Sequence, residues 1–258
     1  MKKQLTVIKV GGQIVEEQET LRRLLEDFKE IPGYKVLVHG GGRSATRIAS
    51  QLGIESQMIN GRRITDADTL RVVTMVYGGL VNKNIVAGLQ ALGIPALGLT
   101  GADMDVIRSV KRPVREVDYG FVGDVEQVDG ERLAGLIRQG IVPVMAPLTH
   151  DGRGNLLNTN ADTIASEVSK SLSEFFDVTL VYCFEKKGVL SDENDDQSVI
   201  SRIDRELFVS YVAEGVIRGG MIPKLENAFQ AIDAGVSKVV ITQASAIHQT
   251  EAGTHIIA

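Results

Sequence analysis

Residues 5–12 read Leu5-Thr6-Val7-Ile8-Lys9-Val10-Gly11-Gly12, an apolar, β-branched run that carries one lysine near its end and then breaks into a glycine pair. A run of this kind has the composition of a strand buried on both faces, and such strands belong to parallel sheets covered by helices. The pattern recurs. Lys35–His39, Ile94–Leu97, Ile141–Met145, Val178–Phe184 and Lys238–Thr242 read as further strands. Between them, Leu21, Leu24, Leu25 and Phe28 fall at i, i+3, i+4 and i+7, the stripe of an amphipathic helix. Leu225, Ala228, Phe229 and Ile232 repeat that spacing, with Gly235 placed to end the helix. Leu133, Leu136 and Ile137 do so after Asp129, an N-cap, and before Gly140. Strand and helix in alternation predict right-handed crossovers. The fold class is α/β, a mostly parallel central sheet sandwiched between helices.

Three segments break this rhythm. Gln57–Thr65, Val106–Val125 and Thr149–Asn158 are polar and glycine-bearing, and read as hairpins projecting from the sheet. Glu185–Arg202 holds the acidic run 192–196 and reads as an exposed loop. A lobe junction is expected near Leu172–Phe176, dividing residues 1–175 from 176–258 along one continuous sheet.

Composition narrows the function. The 258 residues suit one large or two small domains. A net charge of −5 speaks against nucleic acid and anionic membrane as partners. With 43% hydrophobic and 24% charged residues the chain is too apolar for disorder. No Trp is present and aromatics reach only 5%, so platforms for stacking bases are not expected. Cys183 is the only cysteine, which excludes an internal disulfide, and it reads as a buried, inert thiol. No stretch approaches the ~20 apolar residues of a membrane span, and the start of the chain does not read as a signal peptide. The expected compartment is the cytoplasm.

The chemistry must come from elsewhere than the common motifs. There is no Walker-type phosphate loop, no Gly-x-Gly-x-x-Gly after a strand, no zincin histidine pair and no Gly-x-Ser-x-Gly elbow. A set of glycine-rich strand ends remains. Lys9-Val10-Gly11-Gly12 closes the first strand and Val38-His39-Gly40-Gly41-Gly42-Arg43 the second, with a helix expected from about Ser44. Bare backbone at the carboxyl ends of parallel strands can approach an anion, and a helix N-terminus adds positive potential. Either run alone also suits an ordinary strand-to-helix turn; the lysine beside the first favours anion binding. Asn158-Thr159-Asn160-Ala161-Asp162 leads into a helix that Asn160 can cap. Gly219-Gly220-Met221-Ile222-Pro223-Lys224 enters another, with Lys224 near its N-terminus. A cation is disfavoured there by the helix dipole unless an anion is bound.

These segments, together with Asn60-Gly61-Arg62-Arg63-Ile64-Thr65, resemble the N-acetylglutamate kinase family of the amino acid kinase superfamily, in the same order and over essentially the whole chain. The resemblance implies transfer of the ATP γ-phosphoryl group, as the Mg²⁺ complex, to the side-chain carboxylate of an N-acylglutamate in arginine biosynthesis. It implies Lys9 and Lys224 flanking the transferred group, Asp162 orienting both ammoniums, and Gly11 cradling phosphoryl oxygens. Gly41, Gly42, Arg63 and Asn158 would bind the acylglutamate. Gly12, Glu185, Lys186, Gly188, Leu190, Val216, Ile217 and Arg218 would hold the nucleotide, with no direct metal ligand from the protein. It also implies a homodimer, for which the helical stretch 69–92 with Val72, Val73, Val76, Leu80 and Val81 offers an apolar face. Only Met1–Gln4 precede the first strand, so no hexamer-linking helix, and no inhibition by arginine, is expected.

The chain departs from the family's pattern in three places. Phe184-Glu185-Lys186-Lys187 stands where a Thr/Ser-Asp-Val segment is usual, and Pro147-Leu148-Thr149 lacks a common glycine. Arg62 replaces an apolar residue beside Arg63; it suits either a solvated surface or the second carboxylate of an N-succinyl group. Other readings are a carbamate or uridylate kinase, against which Arg63 and Asn158 speak, and a non-catalytic ligand sensor. A sensor has no need for both lysines and Asp162.

Overall fold

In chain order the elements of the computed structural model are β1 (Gln4–Val10), α1 (Gly12–Glu16), α2 (Gln18–Glu30), β2 (Tyr34–His39), α3 (Gly42–Gln51), β3 (Met58–Ile59), β4 (Arg62–Arg63), α4 (Ala67–Val73), a π-helical segment Thr74–Val81, and α5 (Asn82–Ala91). Then come β5 (Ala96–Leu99), β6 (Ile107–Lys111), β7 (Gly123–Val128), α6 (Gly130–Arg138), β8 (Val142–Met145), β9 (Leu148–His150), β10 (Leu156–Asn158) and α7 (Ala161–Leu172). The chain ends with β11 (Asp177–Phe184), β12 (Arg202–Ile203), α8 (Arg205–Ala213), α9 (Met221–Asp233), β13 (Lys238–Gln243) and β14 (Thr254–Ile256). The structure describes residues 1–258 except Asn60, Glu193, Gly220 and Thr250 and the side chain of Pro223. The sequence readings that touch Asn60, Glu193, Gly220 and Pro223 lie, at those positions, outside the described residues.

Among the described residues, eight strands form the central sheet in the order β12-β14-β13-β11-β1-β2-β8-β5, parallel throughout except for β13 against β14. β1 lies inside it because both of its faces are apolar. Leu5 and Val7 pack into one core with Val36, Val38, Leu180 and the helices α6, α7 and α9. Ile8 and Val10 pack into a second core with Leu37, Val181 and helices α2, α3 and α5. Side chains alternate across the sheet, so Lys9 falls on the face of Leu5 and Val7, in register with Tyr182 of β11.

Two element starts and the arrangement of the hairpins depart from the sequence reading by more than a residue. The strand expected at Ile94–Leu97 begins at Ala96, because Ile94 is held by the end of α5. Gly93 turns at φ 77° and the Ile94 N–H reaches Leu89 C=O at 3.0 Å, which satisfies an orphan helix carbonyl. α3 starts at Gly42 rather than near Ser44, since Ala45 N–H already bonds Gly41 C=O at 3.0 Å. Two of the expected hairpins do not project separately. β6, β7, β9 and β10 join as one four-stranded sheet ordered β10-β9-β6-β7, while β3 and β4 pair alone.

Ala67–Ala91 runs as one 25-residue helix, long and apolar enough by length and composition to cross a membrane. Val72, Val76, Val81, Ile85 and Leu89 of this helix are buried in the second core. Its middle widens to π-helical bonding, with Asn82 N–H reaching back five residues to Tyr77 C=O. In the acidic run Asp192, Asn194, Asp195 and Asp196 are exposed, and the Asp192 and Asp195 carboxylates accept from the N–H groups of Asn194 and Gln197. Cys183 is buried, and burial pushes its thiol up to about 12.

Candidate active site

The carboxyl ends of β1, β2 and β11 meet the N-termini of α1, α3, α7 and α9 along one rim of the sheet, where ligands bind in open α/β folds. Lys9, 8% exposed, ends the inward ladder of β1, and its Nζ lies 2.7 Å from Asp162 Oδ1. Asp162 is fixed in the first turn of α7 by the cap beneath it. Asn160 Oδ1 accepts from the N–H groups of Asp162 at 2.7 Å and Thr163 at 3.3 Å. Lys224 rises from the first turn of α9, with its ammonium 3.9 Å from the Phe184 ring centroid. Burial pulls its pKa down, and Asp162 opposes that shift. The structure thus brings Lys9, Asp162 and Lys224 together.

The two glycine turns press backbone on backbone. A Cβ on Gly12 would stand 3.3 Å from the nitrogens of both Gly41 and Gly42, and one on Gly40 would stand 3.0 Å from Gly12 N. A side chain at either position would have to push this seam apart by a few tenths of an ångström. On one side opens a cavity of ≈190 Å³ lined by Gly41, Gly42, Arg62, Arg63, Tyr77 and Asn158 among others. Arg63 is 7% exposed; its Nη2 donates to Gly42 C=O and Thr46 Oγ1, both at 2.8 Å. Among the described residues its buried Nη1 has no hydrogen-bond partner. A buried donor of a charged group left unmade is costly, so this nitrogen is poised for an anionic ligand. Asn158 Nδ2 donates to Thr65 Oγ1 at 3.0 Å, and Thr65 Oγ1 to Arg63 C=O at 3.0 Å, which ties the two expected substrate ligands to one another.

On the other side of the seam a cavity of ≈460 Å³ is lined by Gly11, Gly12, Gly42, Phe184, Glu185, Lys186, Gly188 and Lys224 among others. Of the residues expected around the nucleotide, Leu190, Val216, Ile217 and Arg218 do not line it. Ile217 is a core residue, 2% exposed, and Leu190 is buried opposite Val199. Glu185 stands 3.7 Å from Arg43 in an exposed pair.

Sequence reading missed Tyr77, Thr46 and the role of the Phe184 ring. Tyr77 lies against Gly41, where a Cβ would fall 2.9 Å from the ring. Its placement depends on the π-turn, which no regular spacing reveals. Thr46 sits one turn after Gly42 on α3, a position that could have been read from the helix start.

His39, fully buried, underpins the second glycine turn. Its Nδ1–H donates to Gly40 C=O at 2.7 Å and its Nε2 accepts from Asn82 Nδ2 at 3.1 Å, so the ring is neutral. Burial brings its pKa down from 6.5 to about 4. Between those values the unfolded chain binds the proton and the folded one does not. Stability therefore falls as pH drops through that window, by up to about 3 kcal/mol, and the contribution is gone below pH 4. Urea melts at pH 7, 5.5 and 4.5 check this: His39→Gln should flatten the slope, and an unchanged slope removes His39 as its source.

With this geometry in view, comparisons place the chain. It matches the amino acid kinase family over residues 4–243. It is 76% identical over 256 residues to the acetylglutamate kinase of Bacteroides thetaiotaomicron, covering 99% of both chains. It is 75% identical over 256 residues to the acetylglutamate kinase of Bacteroides fragilis, covering 99% of this chain and 98% of that one. A crystal structure from Streptococcus mutans UA159 superposes with a TM-score of 0.79 at 28% identity, covering 98% of each chain. Family profile, sequence relatives and glycine-lined rim agree: the chain belongs to the amino acid kinase family, in its acetylglutamate kinase branch.

Proposed function

We propose that this protein transfers the γ-phosphoryl group of ATP to the side-chain carboxylate of N-acetyl-L-glutamate, giving N-acetylglutamyl 5-phosphate in cytoplasmic arginine biosynthesis. The observation that carries the reading is that the two cavities share Gly42, with Lys9, Asp162 and Lys224 grouped at the same rim. Acceptor and donor are both anions, so the protein must align them and neutralise the charge on the group in flight. Arg63 and Asn158 hold the acylglutamate in the smaller cavity, where the free Nη1 meets its α-carboxylate. The larger cavity takes ATP, and Mg²⁺ arrives with it as part of the nucleotide substrate. Lys9 and Lys224 contact the transferring phosphoryl oxygens from two sides, and the Gly11–Gly12 and Gly41–Gly42 N–H groups supply further donors. Residues 1–175 form the acylglutamate lobe and 176–258 the nucleotide lobe of the shared sheet.

Trapping the acyl phosphate as its hydroxamate tests the function. ATP-dependent hydroxamate from N-acetylglutamate supports it, and none from any acylglutamate sinks it. N-succinylglutamate belongs in the same experiment, because Arg62 lines the smaller cavity half-buried beside Arg63. N-acetylglutamate should remain the preferred acceptor, and preferential turnover of the succinyl compound would overturn that choice.

The homodimer is proposed to form on the helix Ala67–Ala91, where Leu80 is the one exposed residue of the five named from the sequence. Val72, Val73, Val76 and Val81 point into the second core, whereas Met75 is 56% and Leu80 47% exposed. A dimer would cover the latter pair. Light scattering at micromolar concentration should give twice the chain mass, and Leu80→Lys should halve it; a wild-type monomer refutes the reading.

A further inference from the structure

Phe184 ends β11 on the sheet face that carries Tyr182, and the two rings stack with centroids 6.2 Å apart and 14° between planes. Above the Phe184 ring sit two ammonium groups, Lys224 Nζ at 3.9 Å and Lys9 Nζ at 5.1 Å from its centroid. The anionic side of this cluster is thin. Asp162 pairs with Lys9 at 2.7 Å, and among the described residues no carboxylate pairs with Lys224. Lys224 is half-buried, and burial is the largest influence pulling its pKa down. An aromatic face attracts such a cation through its quadrupole without spending the donors a carboxylate would occupy.

We propose that Phe184 is a positioning residue for phosphoryl transfer, its ring face seating the Lys224 ammonium and steadying that of Lys9. The inference rests on the reading of these lysines as the cations that meet the transferred group. A carboxylate beside Lys224 would compete with the phosphoryl oxygens; a ring face leaves the N–H bonds on its far side free for them. Tyr182 fixes the ring from behind, and its hydroxyl donates to Asp162 C=O at 3.4 Å. The ring and the single carboxylate are thereby set against one another by the same strand. Phe184 also lines the larger cavity beside Lys224, so the seat opens where the nucleotide would lie.

Phe184→Leu keeps apolar bulk and removes the quadrupole; Phe184→Tyr keeps both. The leucine variant should lose five- to twentyfold in kcat, about 1–2 kcal/mol at 1.36 kcal/mol per tenfold, with KM for ATP changed less than threefold. The tyrosine variant should stay within twofold of wild type. Mono-, di- and trifluorophenylalanine placed at position 184 keep the ring's shape while draining its π density, and kcat should fall stepwise along that series. This series decides the matter should Phe184→Leu fold poorly. A wild-type kcat in Phe184→Leu, or a flat fluorination series, overturns the proposal, since the ring then only fills space. A wild-type kcat in Lys224→Ala would instead overturn the lysine reading on which it stands.

Discussion

Lys224→Ala, and separately Lys9→Ala, should each lower kcat by about 10²–10³, equivalent to roughly 3–4 kcal/mol of lost transition-state stabilisation. The magnitude reflects where these ammoniums stand. Both are desolvated at the rim, Lys9 within a salt bridge to Asp162 and Lys224 over an aromatic ring. Their field on a nearby anion is therefore weakly screened. The γ-phosphoryl group gathers charge on its equatorial oxygens as it moves, and a fixed cation stabilises that state more than the ground state. The fold should survive both changes, since neither side chain belongs to either hydrophobic core. Steady-state kinetics beside a thermal melt separates the two effects. Near-normal kcat in either variant removes that lysine from the transfer.

Arg63→Lys should raise KM for the acylglutamate by about 10–100-fold while leaving KM for ATP within a factor of three. The range corresponds to one charge-assisted hydrogen bond, at roughly 1.5–3 kcal/mol. Arg63 spends Nη2 on Gly42 and Thr46 and keeps Nη1 for a ligand. A lysine delivers a single point of charge and cannot both brace the glycine turn and meet a carboxylate. Kinetics with each substrate varied in turn decide it. A larger change in the ATP KM would move Arg63 to the nucleotide side and undo the assignment of the smaller cavity.

How much of the fold and the site is legible in the sequence depends on whether a signal is local. Lys9 stands out because a charge amid β-branched residues needs a reason, and Asn160 because a cap declares itself a turn ahead of its helix. The central sheet emerges from strand-helix alternation, and its wrong boundary at Ile94 comes from a helix end that borrows one more N–H. Long-range events leave no such trace. The merging of β6, β7, β9 and β10 hinges on the pairing of Arg108 with His150, distant in sequence. The apolar stripe of 69–92 is visible, yet which side faces the core is not, because the π-segment breaks the 3.6-residue period used to read it. The stretch 216–218 shows the limit of carrying residues over from a resemblance: Ile217 lies in the hydrophobic core instead of the cavity.

The π-turn also makes the long helix intolerant of small changes in length. In an α-helix each residue advances the side-chain direction by about 100°, and the wider turn sets a fixed angular offset between α4 before it and α5 after it. Tyr77 reaches Gly41 from within that turn, and Asn82 reaches His39 from just beyond it. Losing one residue from Thr74–Val81 would swing Asn82 by roughly a quarter of a rotation while Val72 and Val73 stayed in place. Asn82 would leave His39, and the second glycine turn would lose its brace from below. The spacing from Val73 to Asn82 therefore acts as a gauge: a point substitution can be absorbed there, but a single-residue insertion or deletion detunes a site whose glycines it never touches.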